Sequence, residues 1–191
     1  MYTIKQNSFN EFIVKNSKFI SLSFKVDSIN EVTDILNSIK LEYEHATHYT
    51  YAYLIDGFCK YDDDNEPSKT SGFQILDLLE KRQLIHILCV VVRYFGGIKL
   101  GVGGLSRAYR KAANDVLLKS GIIELVDAYK VLLSFDYKNV KDVDYLLKNA
   151  KIIDKKFNDK VEYTFIISKN DIKKIEEYNP SILDNTFIEI N

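Results

Sequence analysis

The chain has 191 residues, with 26 Lys and Arg against 27 Asp and Glu and a formal net charge of −1 at pH 7. That balance excludes a globally basic nucleic-acid-binding domain and an acidic disordered tail, so any site for a polyanion has to be local. Hydrophobic residues at 46% and charged residues at 28% are those of an ordinary folded protein, and the length allows one domain or two small ones.

Cys59 and Cys89 are the only cysteines, and Cys89 sits in the apolar run Ile87-Leu88-Cys89-Val90-Val91-Val92, the setting of a small buried hydrophobe rather than of a disulfide. The opening residues, MYTIKQNSFNEF, show no basic region followed by an apolar one, and no stretch approaches the roughly 18 apolar residues of a membrane helix. A cytoplasmic protein without membrane association is therefore expected.

In chain order, residues 18–26 read as a strand, and Ile29, Val32, Ile35, Leu36 and Ile39 space out an amphipathic helix with Asp27 or Ser28 as its N-cap. A strand is predicted at 49–55, a loop rich in turn formers at 60–72, a helix at 73–83 and a buried strand at 86–94. Five glycines fall among residues 96–104. A helix then runs over 105–119 with Leu105, Ala108, Ala112 and Val116 on its apolar arc and Gly121 as its stop. Beyond Asp127 the pattern restarts as strand 129–137, helix 140–150, strands 151–157 and 161–167, a short helix at 171–178 and a strand at 186–190. This order, βαββαβ, predicts a ferredoxin-like module, with a domain boundary near residue 127.

Three groups of residues could carry chemistry. The glycine loop lies between a buried strand and a helix, where backbone N–H groups and the helix dipole can hold a phosphate; close packing of helix on sheet is the alternative. It is neither a Walker loop nor a dinucleotide fingerprint. On the following helix Arg107, Arg110 and Lys111 share a face opposite the apolar arc, a row able to contact successive phosphates or simply the solvated side of the helix. With Arg93, Lys99, Gly101, Gly103, Gly104 and Ser106 they form the candidate phosphate or nucleic-acid site.

The second group is the acidic loop Asp62-Asp63-Asp64-Asn65-Glu66-Pro67. It lacks the pattern of an EF-hand, and reads as a structural turn or as a source of a carboxylate that orients Arg93. The third comprises His45 and His48, which have no further ligand nearby for zinc, and Tyr49, Tyr51 and Tyr53, which share a strand face for base stacking or for core packing. No Ser-His-Asp or Cys-His motif appears, and no cofactor or metal is expected.

The run Val90-Val91-Val92-Arg93-Tyr94-Phe95-Gly96-Gly97-Ile98-Lys99-Leu100-Gly101-Val102-Gly103-Gly104-Leu105 strongly resembles the motif of the Impact family, whose bacterial members are YigZ-type proteins. Asn16-Ser17-Lys18-Phe19-Ile20, Ala46-Thr47-His48 and Asp63-Asp64-Asn65-Glu66-Pro67 resemble its further motifs in the same order. Asn65 replaces the family's glycine, a substitution that a left-handed turn tolerates, and Ser68 to Gly72 depart from the usual Ala-Gly-Thr-Ala-Gly.

The resemblance implies an α+β protein of two domains. Residues 1–127 would take the fold of the second domain of the fifth small-subunit ribosomal protein, and residues 128–191 a ferredoxin-like fold similar to domain five of elongation factor G. Eukaryotic members are linked to control of translation initiation. The expected function is thus a non-enzymatic RNA- or ribosome-binding protein in translation. The alternatives are an enzyme with a small-molecule phosphate or nucleotide site at residues 101–106, and an adaptor that binds protein partners through its C-terminal domain. Divided along the chain, the charge is no longer even: residues 93–119 hold six basic residues against Asp115 alone, while the rest of residues 1–127 is acidic.

Overall fold

The computed structural model describes residues 1–190, and the chain divides between Ile123 and Glu124 into two compact units of mixed α and β structure. In the first unit a short strand β1 (Tyr2–Ile4) precedes the hairpin β2 (Ser8–Val14) and β3 (Ser17–Lys25). Helix α1 (Ile29–Glu42), strands β4 (His48–Ile55) and β5 (Phe58–Asp62), helix α2 (Gly72–Lys81), strand β6 (Ile87–Tyr94) and helix α3 (Val102–Ser120) follow. Five of these strands form an antiparallel sheet in the order β2-β3-β6-β4-β5.

Strand alternation gives this sheet two buried faces. Phe19, Ala52, Cys89 and Val91 point toward α2 and α3 and pack with Ile75, Leu79, Tyr109, Ala112 and Val116. Ile20, Leu22, Leu88, Val90 and Val92 point the other way, toward Val32 and Ile39 of α1. Strand β6 lies at the centre of the sheet and is buried from Ile87 to Arg93, as its continuous apolar run predicts. Ser28 caps α1 by accepting from the Glu31 N–H at 3.2 Å, while Glu31 accepts from the Asp27 N–H at 2.9 Å.

Two boundaries differ from the sequence reading in ways that matter for the site. Residues 58–62, read largely as loop, form edge strand β5, joined to β4 through Gly57 at φ +73°. Its exposed residues carry little apolar period, and pairing with β4 settles its conformation. Helix α3 begins at Val102 rather than 105, so Gly103 and Gly104 fall in its first turn behind Gly101 at φ +73°.

The second unit is built on β7 (Ile122–Phe135), a 3₁₀ turn (Tyr137–Asn139), α4 (Val140–Leu146), β8 (Lys151–Phe157), β9 (Val161–Ser168), a 3₁₀ helix (Ile172–Tyr178) and β10 (Ser181–Ile190). Its strands pair antiparallel in the order β10-β7-β9-β8. Val131, Leu133, Phe135, Tyr163, Phe165 and Ile167 face Val143, Leu147 and Ile175 of the helical segments. Strands β7 and β10 start earlier than their sequence patterns suggest, because the two pair with each other over residues 124–132 and 181–190. No helix among the described residues is long and apolar enough to cross a membrane.

Candidate functional site

The acidic loop folds on its own carboxylates. Asp64 and Asn65 take left-handed φ values of 40° and 63°, the second being the position where asparagine stands for the family's glycine. One Asp63 carboxylate oxygen accepts from the Ser71 hydroxyl at 2.8 Å and from the N–H groups of Ser71 and Phe73, and the other from the Lys69 N–H at 2.8 Å. Burial alone would raise the Asp63 pKa, but these donors outweigh it and hold the carboxyl below its usual range. Asp63 thereby serves the N-terminus of α2, where the chain offers no N-cap side-chain bond at Ser71. Asp64 accepts from the Tyr49 N–H at 2.6 Å, Asp62 from the Asp64 N–H at 2.8 Å, and the Pro67 carbonyl from the Thr70 hydroxyl at 2.6 Å.

Glu66 turns inward, and here the loop meets the rest of the site. One of its oxygens accepts from Arg93 Nη1 at 2.5 Å and from the Tyr109 hydroxyl at 2.7 Å, with His48 Nε2 at 3.6 Å. The Glu66 side chain is 3% exposed and that of Arg93 5%, so the pair is nearly dry. Burial pushes the Tyr109 phenol far up and the Glu66 charge adds to it, so the phenol stays protonated and donates. His48 is tied through Nδ1 to the Asp64 carbonyl at 2.7 Å, which fixes the proton on that nitrogen because a carbonyl can only accept. Glu66 thus joins the acidic loop, β4, β6 and α3.

This arrangement corrects the expectation for Arg93. It was expected to touch phosphate from the surface; instead it lies 4% exposed, paired with Glu66 and set against two aromatic rings. The reading in which an acidic-loop carboxylate orients Arg93 is the one realised, and the carboxylate is Glu66. Above the pair, Ser17 Oγ accepts from the Gly96 N–H at 3.2 Å, and Thr47 Oγ1 from the Phe95 N–H at 2.9 Å. Gly96 is pressed against the β2–β3 turn so closely that a Cβ there would fall 2.0 Å from the Asn16 carbonyl carbon. Gly96 therefore serves a close approach of two backbone segments, the loop and the β2–β3 turn, rather than helix-on-sheet packing.

The start of α3 is different. Gly101 supplies no side-chain cap, the first turn holds no acidic residue, and the first helical N–H with a backbone partner is that of Leu105, to the Gly101 carbonyl at 2.9 Å. The N–H groups of Val102, Gly103 and Gly104 therefore end the helix unspent, at the positive end of its dipole. Arg107 reaches back along the helix toward Gly103, with Nη1 3.5 Å from where a Cβ on that residue would stand. Lys99 and Arg107 make no ion pair among the described residues. Ser106 bonds the Val102 carbonyl at 3.1 Å. The rest of the predicted row reaches carboxylates: Arg110 pairs with Asp77 at 2.5 Å, and Lys111 with Asp115.

Tyr49, Tyr51 and Tyr53 face α1 and its core rather than open solvent, and Tyr53 is 7% exposed. Sequence reasoning missed Tyr109 and Ser17 as members of the site. For Tyr109 the signal was available: a tyrosine on the apolar arc of a buried helix must bring its hydroxyl a partner.

Residues 15–117 match the Impact N-terminal domain family. The chain belongs to the IMPACT family. The IMPACT family member YvyE of Bacillus subtilis (strain 168) is 32% identical over 182 residues, covering 93% of this chain and 84% of that one. The IMPACT family member YigZ of Escherichia coli (strain K12) is 29% identical over 139 residues, covering 70% and 68%. A crystal structure of a hypothetical protein aligns over 100% of this chain and 97% of its own, with a TM-score of 0.65 at 23% identity, and shares the fold. The IMPACT family match spans Glu66, Arg93, Tyr109 and the start of α3 together.

Proposed function

We propose that the chain is a non-enzymatic RNA- or ribosome-binding protein that acts in the regulation of translation and holds phosphate at the start of α3. The observation that carries this is the uncapped N-terminus of α3, whose first three N–H groups have no acceptor among the described residues, with no acidic residue in its first turn and the Arg107 guanidinium reaching back toward Gly103. Lys99 adds a second cation with no ion pair among the described residues, and Gly101, Gly103 and Gly104 let a phosphate oxygen approach the backbone. Arg110 and Lys111 stand further along the helix and contribute only by giving up their half-buried carboxylate partners, Asp77 and Asp115.

Membership of the IMPACT family supports a role in translation. For the second unit, the strand order β10-β7-β9-β8 supports the reading of a ferredoxin-like βαββαβ domain, for which the family resemblance implies a likeness to domain five of elongation factor G. In this reading the first unit takes the fold of the second domain of the fifth small-subunit ribosomal protein, and the domain boundary lies near residue 127.

Salt titration tests the proposal. With Lys99 and Arg107 as the principal phosphate contacts, log K for a single strand should fall with log salt at a slope of about −1.4, at roughly −0.7 for each phosphate neutralised. The double variant Lys99→Ala/Arg107→Ala should lose most of that slope. Affinity independent of salt, or unchanged in the double variant, contradicts it.

A further inference from the structure

Phe95 lies six residues ahead of Gly101, and nothing in the Impact-type motif assigns it a task. It is 46% exposed, although its backbone is fixed by the hydrogen bond to Thr47 Oγ1. Its ring lies against the Arg93 guanidinium at 5.5 Å, and that guanidinium also lies 5.4 Å from the Phe19 ring. Arg93 is in turn anchored by Glu66, and its Nε has no hydrogen-bond partner among the described residues, as befits a guanidinium set against aromatic rings. The inner side of the Phe95 ring is thus braced by a buried cation that cannot move away, while the outer side is left open. Most exposed phenylalanines lie on a flexible segment or cover a neighbour; this one is a fixed, flat, half-solvated platform.

The segment that carries the platform is basic. Residues 93–114 contain no Asp or Glu. Lys99 and Arg107 make no ion pair among the described residues, nor does Lys15 in the β2–β3 turn, whose next residue, Asn16, is pressed against Gly96. A rigid aromatic face on a segment that also carries cations and unspent backbone N–H groups suits a ligand that alternates planar rings with phosphates. A base within a duplex has both faces covered by its neighbours, and the major groove of A-form RNA is too deep and narrow to admit a platform of this kind.

From this we infer that the site takes unpaired RNA, with one base stacked on the outer face of Phe95 and adjoining phosphates at the start of α3, Lys99, Arg107 and Lys15. The inference rests on the phosphate reading above and adds to it the strandedness of the ligand and the residue that selects it.

The test uses the full chain and a short oligoadenylate carrying one 2-aminopurine, compared with a duplex of the same length. Unpaired RNA should bind more tightly than duplex, and the 2-aminopurine fluorescence should change on binding because the base stacks. Phe95→Ala should weaken unpaired RNA by about 5- to 140-fold, the equivalent of one base stack, and leave the salt slope and the duplex affinity as they were. Phe95→Tyr should keep the binding. The side chain is exposed enough for both variants to fold, and their melting curves verify it.

If Phe95→Ala binds as the parent does, and unpaired and duplex RNA compete equally with the salt slope intact, the stacking inference is overturned and the phosphate reading stands. Binding to neither RNA at low salt overturns both. A fluorescence change that survives Phe95→Ala places the base elsewhere and overturns the role of Phe95.

Discussion

Replacing Glu66 with leucine removes the one carboxylate on which Arg93 and Tyr109 converge. The Arg93 side chain, 5% exposed, would keep only the Ser17 hydroxyl at 3.4 Å, and removal of one partner from a buried pair costs about 3–5 kcal/mol. The Tyr109 hydroxyl, buried with the rest of its side chain, would lose its acceptor at a further cost of roughly 1–3 kcal/mol. Together these come to about 4–8 kcal/mol, a large share of the roughly 5–15 kcal/mol that holds a typical domain together. Equilibrium urea unfolding followed by circular dichroism should show Glu66→Leu far less stable than the parent at an unchanged slope. The triple variant Glu66→Leu/Arg93→Met/Tyr109→Phe fills the same space with apolar groups and leaves no polar group stranded, so it should recover most of the loss. A Glu66→Leu protein within about 1 kcal/mol of the parent would refute the reasoning, because it would mean the buried charge finds other solvation. So would a triple variant less stable than the single one.

Three further outcomes follow from the site's construction. Gly96→Ala should destabilise the fold sharply, since its Cβ would stand 2.0 Å from the Asn16 backbone, whereas Gly97→Ala meets no atom within 4 Å and should cost only the strain of φ +82°, about 1–2 kcal/mol; parallel thermal melts distinguish them. Thiol titration of the folded chain should count one reactive cysteine and of the unfolded chain two, because Cys59 is exposed while burial pushes the Cys89 thiol up to about 12. Asp63 has a folded pKa below its usual 3.8, so it contributes stability above that value and loses it as the pH falls through the lowered one. The stability difference between the parent and Asp63→Asn, measured from neutral pH downward, should therefore be constant above the usual value and shrink below it; a difference that ignores pH would contradict the assignment.

The legible parts of the fold were those that local pattern governs. A continuous apolar run marked β6 and period-3.6 spacing marked α1 and α3, and the strand of residues 151–157 was read with the bounds the structure gives it. Edge strand β5 was not legible, because its residues are mostly exposed and its conformation comes from pairing with β4. The site divides the same way. Glycines ahead of a helix announced a backbone donor site, and the uncapped start of α3 is where they lie. Which cations are paired could not be read locally: Arg93 and Arg107 look equivalent in sequence, yet the first meets Glu66 across 27 positions and the second makes no ion pair among the described residues. Phe95 was hidden for the same reason, since its platform depends on a guanidinium whose orientation is set by the acidic loop.

The most direct measurement of the central claim is the response of individual backbone amides to RNA. In a titration followed by amide proton–nitrogen spectra, the Val102, Gly103 and Gly104 signals should move first and furthest with a short unpaired RNA, and inorganic phosphate should move the same three more weakly. Shifts confined to other parts of the chain, with these three amides unmoved at saturation, would contradict a phosphate site at the start of α3.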